Sequence, residues 1–385
     1  MTPQRPLRIL LISRRYPPQI GGAERVMANL AEALARQGHL VTLLASASGP
    51  DGIEASNNLA EASPTANPKV IRLKYSGRRV IGTFGYMRRI QGWIKTHRPD
   101  VVYVSMLKQD ALAAARACHR CGIPLLLRPE GAGHTGDMAW QKRHWIGRLV
   151  RRACWRADAI VALSPTIRLE LLAEGYKASQ IHEIDNGVAV PEKAWVPPGL
   201  SNPTGLFVGR LAQEKGLDTL IAAWAVVARK LPGARLRLIG AGPMEPILRQ
   251  LSEKLDISPV VEFAGARGDV ESELRRASVF LLPSREEGLS MALLEAMALG
   301  MPVVVSDIPG NRTLVRHGET GLMAPVDDPQ VLAEAILKAI SGQPGILSMA
   351  NAGRELVASQ FSIQAVAEAH AELMELLLRF TKNGD

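Results

Sequence analysis

Two glutamates separated by seven residues are the first candidates for chemistry in this chain. They are Glu287 and Glu295, in the segment 284–305, which reads SREEGLSMALLEAMALGMPVVV. Two carboxylates held near one another can accept hydrogen bonds from several hydroxyls of a polyol. The alternative is structural, because Glu287 can complement a helix dipole and Glu295 can be a solvated helix residue. Either glutamate alone favours the structural interpretation, whereas the rest of the chain favours the polyol.

The elements around these glutamates explain how a carboxylate pair and an anion site would arise together. An apolar run at 280–283 predicts a buried strand, and a polar turn follows at 284–288. A helix is predicted from about 290 to 299, because glycine and proline follow it. Glu287 then precedes the helix and Glu295 lies more than one turn inside it. The N–H groups of the first turn are left free for a phosphate.

Length and composition indicate a globular protein of about two domains. The chain has 385 residues, of which 47% are hydrophobic and 22% charged, an ordinary balance for a protein with an ample core. The apolar run near the N-terminus, Ile9–Ile12, is too short for a signal-peptide core or a bilayer span. A cytoplasmic location is therefore expected.

The cysteines and acidic pairs of the sequence do not predict a metal site. Three cysteines are too few, and odd in number, for a disulfide framework. Cys118 and Cys121 form one CxxC pattern with no second ligand pair nearby, which favours a pair on a helix surface. Asp327 and Asp328 precede a proline and a predicted helix, which favours a capping role. No metal and no cofactor is expected.

Positive charge is concentrated in the first half of the chain. The net charge is +9, and residues 1–190 carry the excess of Lys and Arg. Part of it lies at 78–89, and part in a helix-like stretch at 140–156 that contains three tryptophans. Such a helix suits an anionic membrane surface, and a solvated helix with Leu149 and Val150 on the core is an equal alternative. A nucleic acid partner is not expected, because aromatic residues make up only 4% and no binding motif occurs.

Apolar runs alternate with helical patterns along most of the chain. Ten runs predict buried strands, five on each side of a break rich in proline and glycine. The predicted strands are 7–12, 41–45, 101–104, 125–127, 160–163, 205–208, 236–239, 260–263, 279–282 and 302–305, with helices such as 24–37 and 111–120 among them. This alternation predicts an α/β protein with two facing Rossmann-like domains, each a doubly wound parallel sheet, and a cleft between them.

The same pattern divides the chain into four parts. A first Rossmann-like domain is predicted at 1–190 and a linker at 191–203. A second Rossmann-like domain is predicted at 204–362 and a terminal helical segment at 363–385.

Loops at the carboxyl ends of parallel strands bind the ligands of such folds. After the first strand, Gly21 and Gly22 open a helix, where backbone N–H groups can approach a phosphate or simply cap the helix. After the first strand of the second half come Gly209, Arg210 and Lys215. The two cations suit a diphosphate, although by themselves they are better explained as surface residues beside a turn.

Taken together, these residues resemble the retaining glycosyltransferases of the GT-B type, and among them the GT4 family. The matching motifs run from residue 21 to residue 325 and so cover most of the chain. They are Gly21-Gly-Ala-Glu24, Asn186-Gly-Val188, Gly209-Arg-Leu211, Glu214-Lys-Gly216, Gly240-Ala-Gly242-Pro243, Glu287-x7-Glu295 and Thr320-Gly-Leu-Met-Ala-Pro325. The two-carboxylate motif with Gly209-Arg-Leu211 and Lys215 is specific, whereas glycine turns alone are common.

The resemblance implies an activity. It implies a glycosyltransferase that moves a sugar from a nucleotide-sugar to an acceptor with retention of anomeric configuration, without a metal. The first domain would be the acceptor side and the second would bind the nucleotide-sugar. With the basic first half, it suggests synthesis of a cell-envelope glycan or glycolipid, such as lipopolysaccharide or exopolysaccharide. The protein would then work peripherally at the inner face of the cytoplasmic membrane.

The resemblance also implies a role for each matched position. Arg210 and Lys215 would bind the donor diphosphate, and the Gly22 amide would bind the distal phosphate. Glu287 would bind the hydroxyls of the transferred sugar and Glu295 the ribose. Further donor-binding positions are Gly21, Gly242, Gly288, Leu289 and Ser290, where the last three supply amides. Arg210, Lys215 and Glu287 form the catalytic set with one residue of the first domain.

That first-domain residue is open between two candidates. Relatives often place a histidine just after a strand, whereas here Glu130 stands at the strand end and His134 follows four residues later. His134 is preferred, Glu130 is the alternative, and Asp137 is a candidate to orient the acceptor hydroxyl. Thr313 stands where relatives commonly carry a glutamate, which would alter a contact of the donor loop without abolishing activity.

Two other functions are compatible with these motifs. An epimerase or an inverting transferase of the same fold would also act on a nucleotide-sugar, and product stereochemistry would separate it from a retaining enzyme. A non-catalytic nucleotide-sugar-binding partner in envelope assembly would bind the donor without turnover.

Overall fold

The computed structural model describes residues 5–14, 22–46, 67–73, 79–131, 133, 136–199 and 202–382, with backbone alone at 22–25, 79–81 and 381–382. The chain divides into two units. The first unit contains residues 1–187 together with 363–385, and the second contains residues 188–362.

The first unit is built on a parallel sheet. Its strands, within the described residues, are β1 (Arg8–Ile12), β2 (Leu40–Ser46), β3 (Lys69–Leu73), β4 (Val101–Ser105), β5 (Leu125–Arg128), β6 (Ala159–Ala162) and β7 (Ile181–Glu183). Its helices before the second unit are α1 (Gly22–Arg36), α2 (Arg79–His97), α3 (Gln109–Cys121), α4 (Asp137–Arg143), α5 (Gly147–Cys154) and α6 (Pro165–Ala173). The strand order is β3-β2-β1-β4-β5-β6-β7. The central strands are almost wholly buried, which explains their continuous apolar runs.

The second unit repeats this plan. Its strands in the described part are β8 (Thr204–Val208), β9 (Arg235–Ile239), β10 (Val261–Gly265), β11 (Val279–Leu282), β12 (Val303–Ser306) and β13 (Leu322–Ala324). Its helices are α7 (Leu217–Lys230), α8 (Glu245–Lys254), α9 (Val270–Arg276), α10 (Met291–Leu299), α11 (Pro309–Arg312), α12 (Pro329–Ala339) and α13 (Pro344–Gln360). The strand order β10-β9-β8-β11-β12-β13 and the parallel pairing confirm a second doubly wound sheet.

Each sheet has a point where the strand order reverses. It lies between β1 and β4 in the first unit and between β8 and β11 in the second. Ligands of doubly wound folds bind outside the carboxyl ends of the strands at this point. In the second unit the loops that leave β8 and β11 are those that carry Lys215 and Glu287.

All ten predicted strands are present, with ends shifted by one or two residues. The strands that the sequence did not predict, β3, β7 and β13, lie at sheet edges. The two edge strands of the first unit are only partly buried, so they lack the apolar run that marks a central strand.

The helix expected at 140–156 is wrong, because the chain forms two short helices instead. α4 ends at Arg143 and α5 begins at Gly147, where the chain turns back on itself. A side chain at Gly147 would lie 1.7 Å from the Gln141 carbonyl oxygen, so the turn requires glycine. Leu149 is 46% exposed, which contradicts its expected place on the core, whereas Val150 is buried.

The terminal helix α14 (Ile363–Lys382) belongs to the first unit. Its His370 is 2% exposed and contacts Tyr103 of β4. The His370 Nδ1 lies 2.8 Å from the Val366 carbonyl oxygen, and Nε2 lies 3.2 Å from the Tyr103 hydroxyl. Because a carbonyl only accepts, Nδ1 carries a proton. Burial lowers the pKa of this imidazole to about 4, so near neutral pH Nε2 has no proton and accepts from the Tyr103 hydroxyl. The residue is therefore held as a neutral imidazole.

The predicted linker is partly packed on the second unit. Trp195 is 8% exposed, its indole N–H donates to the Ala277 carbonyl over 2.9 Å, and its backbone N–H donates to Leu299 over 2.7 Å.

The buried imidazole should make the first unit sensitive to acid. Burial lowers the pKa of His370 from 6.5 to about 4. Between these values the unfolded chain binds a proton that the folded chain excludes, so stability falls as pH falls. We expect wild type to lose about 3 kcal/mol more than His370→Gln between pH 7 and pH 4.

The measurement is the urea midpoint of unfolding against pH. The control is His97→Gln, at the exposed end of α2, which should keep the wild-type pH dependence. An unchanged pH dependence in His370→Gln would contradict the assignment.

Candidate functional site

The second unit brings Lys215 and Glu287 together at the reversal point of its sheet. The Lys215 ammonium donates to Glu287 Oε2 over 2.5 Å, and the two side chains are 18% and 10% exposed. Lys215 ends a short 3-10 helix, Gln213–Lys215, in the loop after β8. Glu287 lies in the loop after β11. A shielded cation and carboxylate in contact can meet a diphosphate and a sugar hydroxyl side by side.

A glycine allows these two loops to touch. Gly216 has φ +61°, a left-handed conformation, and it is the N-cap of helix α7. A Cβ atom there would lie 2.1 Å from the Pro283 carbonyl oxygen at the end of β11. The glycine that follows Lys215 in the motif is therefore explained by contact between loops as well as by its backbone angle.

Arg285 ties the same two loops to two helices. Its guanidinium donates to Asp327 Oδ1 over 2.8 Å, to Asp218 Oδ2 over 2.8 Å and to the Gln213 carbonyl over 2.7 Å. Its backbone N–H donates to the Glu214 carbonyl over 2.8 Å. These carboxylates raise the pKa of Arg285, and the guanidinium in turn lowers the pKa of Asp327.

The acidic pair before α12 is divided between two roles. Asp328 caps α12, as the sequence predicts, because its side chain accepts from the N–H groups of Gln330 and Val331. Asp327 instead binds Arg285.

The N-terminus of α10 faces the same loop, as the sequence predicts. Ser290 is the N-cap, and its hydroxyl accepts from the Leu293 N–H over 3.3 Å. Gly300 ends the helix in the left-handed conformation. Within the part of the chain that the structure describes, the N–H groups of Gly288, Leu289 and Ser290 donate no hydrogen bond. These amides, together with the positive end of the helix dipole, are available to an anion beside Glu287.

A second glycine, absent from the predicted site, supports the Glu287 loop. A Cβ atom at Gly310 would lie 2.2 Å from the Glu287 carbonyl oxygen and 2.6 Å from that of Gly288. The adjacent Asn311 is 1% exposed, and its amide donates to the Ser306 carbonyl over 2.9 Å. This hydrogen bond fixes helix α11 on β12, so that Gly310 packs against the Glu287 loop. Thr313, at the C-terminal end of α11, is exposed.

Arg210 and the other predicted donor positions surround this centre. Arg210 is 65% exposed and forms an ion pair with Glu214, so its fork is accessible from solvent. Gly242 accommodates a neighbouring loop, because a Cβ atom there would lie 2.3 Å from the Leu211 carbonyl oxygen. Glu295 lies in the second turn of α10 and is half-buried.

The first-unit candidates lie at the carboxyl edge of the other sheet. Glu130 follows β5 and accepts from the Ser105 hydroxyl at the end of β4. Arg128 lies 3.8 Å from the Glu130 carboxylate and donates to the Asn186 side chain over 2.6 Å. Of these partners, Asn186 stands in a matched motif, whereas Ser105 and Arg128 carried no sequence signal.

Asp137 has a structural role in this cluster. It is 2% exposed, and its carboxylate accepts from the backbone N–H groups of Glu130, over 2.8 Å, and Leu107, over 3.3 Å. Burial raises the pKa of Asp137. In the structure it therefore holds the Glu130 loop, and its role toward an acceptor hydroxyl stays a prediction. His134 and Gly21 lie outside the described residues, and Gly22 begins α1.

Other groups of the chain were also considered from the sequence. Cys118 is buried, which contradicts a surface pair, and burial raises the pKa of its thiol. Among the described residues, no group of three His, Cys, Asp or Glu side chains is placed to hold a metal ion. In that same part of the chain, no helix is both long and apolar enough to cross a bilayer.

Comparisons with known proteins show what the two parts of the chain are similar to. Residues 20–190 match the family model described as Glycosyltransferase Family 4, and residues 202–342 match that described as Glycosyl transferases group 1. A glycogen synthase of Mycobacterium tuberculosis is 28% identical, over 95% of this chain and 94% of its own. A GDP-mannose-dependent alpha-(1-6)-phosphatidylinositol monomannoside mannosyltransferase of the same organism is 25% identical, over 95% of this chain and 98% of its own.

A solved structure supports the fold. HepE of Anabaena, crystallised in complex with UDP and glucose, superposes with a TM-score of 0.75 at 20% identity, over 96% of this chain and 99% of its own. The two parallel sheets and this likeness confirm the predicted fold class.

Proposed function

Since this chain belongs to the glycosyltransferases of the GT-B fold, we propose that it is a retaining, GT4-type enzyme with a nucleotide-sugar donor. The observation that carries the proposal is the contact between Lys215 and Glu287 beside the free amides of α10, at the reversal point of a sheet. In such a donor the diphosphate matches the Lys215 cation and the sugar hydroxyls match the Glu287 carboxylate. A phosphate group matches the amides.

Each residue has a part in this proposal. Lys215 and the accessible fork of Arg210 neutralise the diphosphate as it departs. Glu287 accepts hydrogen bonds from the sugar hydroxyls, and the amides of Gly288–Ser290 bind phosphate. Glu295 binds the ribose. Gly22, at the start of α1, supplies an amide to the distal phosphate together with Gly21.

The first unit supplies the acceptor side. His134 contacts the transferred sugar, with Glu130 as the alternative. The placement of Glu130 at the carboxyl end of β5 supports that alternative.

The reaction breaks the bond between the anomeric carbon and the diphosphate oxygen. The acceptor oxygen forms its bond to the same carbon on the same face, and its proton passes to the departing phosphate oxygen. Protein groups position the partners and stabilise the charge on the leaving group, without a metal.

The acceptor in this proposal is a cell-envelope glycan or a lipid-linked sugar. The mannosyltransferase relative, whose name specifies a phosphatidylinositol mannoside, supports the lipid-linked class. The glycogen synthase relative instead carries the name of a polysaccharide. We place the reaction at the inner face of the cytoplasmic membrane.

The proposal is tested by the stereochemistry of the first product. The purified protein is mixed with α-linked UDP-glucose or GDP-mannose, and the anomeric proton of the released or transferred sugar is followed by NMR. The α-anomer should form first in wild type and should not form in Glu287→Ala. A β-anomer formed first would indicate an inverting enzyme, and an isomerised sugar without free diphosphate an epimerase. Donor binding without turnover would indicate the non-catalytic partner.

Arg285 gives a further prediction for this activity. Replacing it by alanine removes the side-chain hydrogen bonds to Asp327, Asp218 and the Gln213 carbonyl that hold the Lys215 and Glu287 loops. We expect the donor KM to rise and kcat to fall, each roughly tenfold, because small misplacements of positioning groups cost rate. Arg285→Lys should recover little, since one ammonium cannot replace a fork that bonds three acceptors.

The measurement is steady-state kinetics with the donor identified above. Arg316→Ala is the matched control, because Arg316 is an exposed arginine paired with Glu319. A Lys variant as active as wild type would show that only the charge matters.

A further inference from the structure

A basic groove lies on the first unit, away from the residues assigned above. The groove lies between helices α3 and α5 and has a volume of about 400 Å³. Arg116 and Arg120 line it from α3, and Arg152 and Arg156 line it from α5 and the residues that follow. Leu149 and three other apolar side chains complete the lining, with His119.

The four arginines have no acidic partner. Among the described residues, the side chains of Arg116, Arg120, Arg152 and Arg156 form no ion pair and donate no hydrogen bond, and no Asp or Glu lines the groove. All four side chains are exposed. The neighbouring Arg151, by contrast, donates to Glu174 over 2.7 Å. Arg151 of α5 is thus paired with a carboxylate of the protein, whereas the positive charge of the groove is not compensated.

An apolar edge accompanies this charge. Trp145 is 80% exposed, and Leu149 is 46% exposed. Leu149 and Arg152 lie three positions apart on one side of α5, whereas Trp145 lies in the turn before that helix and Arg156 in the turn after it. An exposed tryptophan and an exposed leucine therefore accompany the arginines of this helix and its flanking turns.

We propose that this α3–α5 face binds the headgroups of an anionic lipid bilayer. Guanidinium groups bind phosphate oxygens in pairs, and each cation near an anionic surface contributes about 1 kcal/mol. An exposed tryptophan is stabilised at the level of the headgroups, where its ring is apolar and its N–H can remain hydrogen-bonded. Exposed arginine and leucine side chains in the groove, with an exposed tryptophan in the turn before α5, match the layered chemistry of that interface, whereas a free phosphate needs only the arginines.

The proposed lipid binding rests on the proposed function only for its purpose, which is to bring the enzyme to a lipid-linked acceptor. The binding itself requires neither donor nor turnover. Failure of vesicle binding is therefore distinguishable from failure of the transferase proposal, which the donor assays test.

The experiment is sedimentation of the full chain with vesicles. One set contains phosphatidylcholine alone, and the other contains equal parts of phosphatidylcholine and phosphatidylglycerol. Wild type should sediment with the anionic vesicles only, and less at high salt, because salt screens the attraction. The double variant Arg152→Glu/Arg156→Glu should lower the partition coefficient roughly 30-fold or more, since two cations are lost. Trp145→Ala should lower the partition coefficient less than the double variant does. Of the variants tested, it should change the salt dependence of vesicle binding least.

The matched control reverses two exposed cations of the second unit, Arg229→Glu/Lys254→Glu, and should bind as wild type does. Thermal stabilisation by the donor should be unchanged in every variant, which establishes that each is folded. Equal binding by both double variants would overturn the proposal. So would absence of binding by folded wild type, release by millimolar inorganic phosphate at constant ionic strength, or a preference for RNA over anionic vesicles.

Discussion

Replacing Lys215 by alanine is expected to reduce kcat/KM roughly 100-fold or more, the scale on which loss of one charge-stabilising group affects catalysis. Two effects combine. The variant lacks the cation that meets the diphosphate, and it leaves the shielded Glu287 carboxylate without the ammonium that lies 2.5 Å away. The carboxylate then faces the approaching phosphates uncompensated, so donor affinity should fall together with kcat.

The measurement is kcat/KM with the active donor, with donor Kd determined in parallel. Lys254→Ala is the matched control, because Lys254 is an exposed lysine of the second unit on α8. If kcat/KM of Lys215→Ala lies within a factor of about three of the wild-type value, the result would contradict the role of this lysine. A threefold loss is smaller than the loss expected from removing one hydrogen bond.

The second large effect is expected at a residue without a functional side chain. In Gly310→Ala the new Cβ atom would lie 2.2 Å from the Glu287 carbonyl oxygen, so the backbone of the Glu287 loop must shift. The neighbours are backbone atoms, which cannot rotate away, and overpacking of this kind costs about 1–3 kcal/mol. A shift of about 1 Å at a positioning loop costs about 100-fold in rate, and we expect a loss of kcat of that order.

Gly345→Ala is the matched control for this substitution. Gly345 lies in the first turn of α13, and a Cβ atom there has no neighbour within 4 Å. Alanine should be neutral or slightly stabilising at that position. The comparison is kcat for both variants after circular dichroism has established that they are folded. An active Gly310→Ala would mean that the loop does not depend on α11.

The sequence predicted the parts of the donor site that share one local segment. The spacing of Glu287 from α10 and the Gly300 end follow from short-range rules, and the structure has both. Ser290, expected as the first residue of the helix, is instead its N-cap. The ion pair between Lys215 and Glu287 joins residues 72 positions apart, and no local pattern specifies it. Both residues were identified, but as separate ligands of the donor.

Supporting residues escaped prediction for the same reason. Arg285 stands beside the motif, yet its partners Asp218 and Asp327 lie 67 and 42 positions away. Position 310 requires glycine because of the backbone that it contacts, and that contact exists only in the folded protein. In the first unit, the basic stretch at 140–156 indicated a surface function, but the break at Gly147 and the contribution of α3 to the groove required tertiary structure.

The central claim is that a nucleotide-sugar binds at Lys215 and Glu287 beside the amides of α10. Thermal unfolding of wild type, Lys215→Ala, Glu287→Ala and Lys254→Ala with UDP, GDP and their sugar conjugates tests it most directly. A ligand at about a hundredfold excess over its Kd adds about 2.7 kcal/mol to the folded state. The account predicts a nucleotide-specific rise in Tm for wild type and Lys254→Ala, and none for the other two. An equal rise in all four proteins, or no rise with any nucleotide in folded wild type, would contradict it.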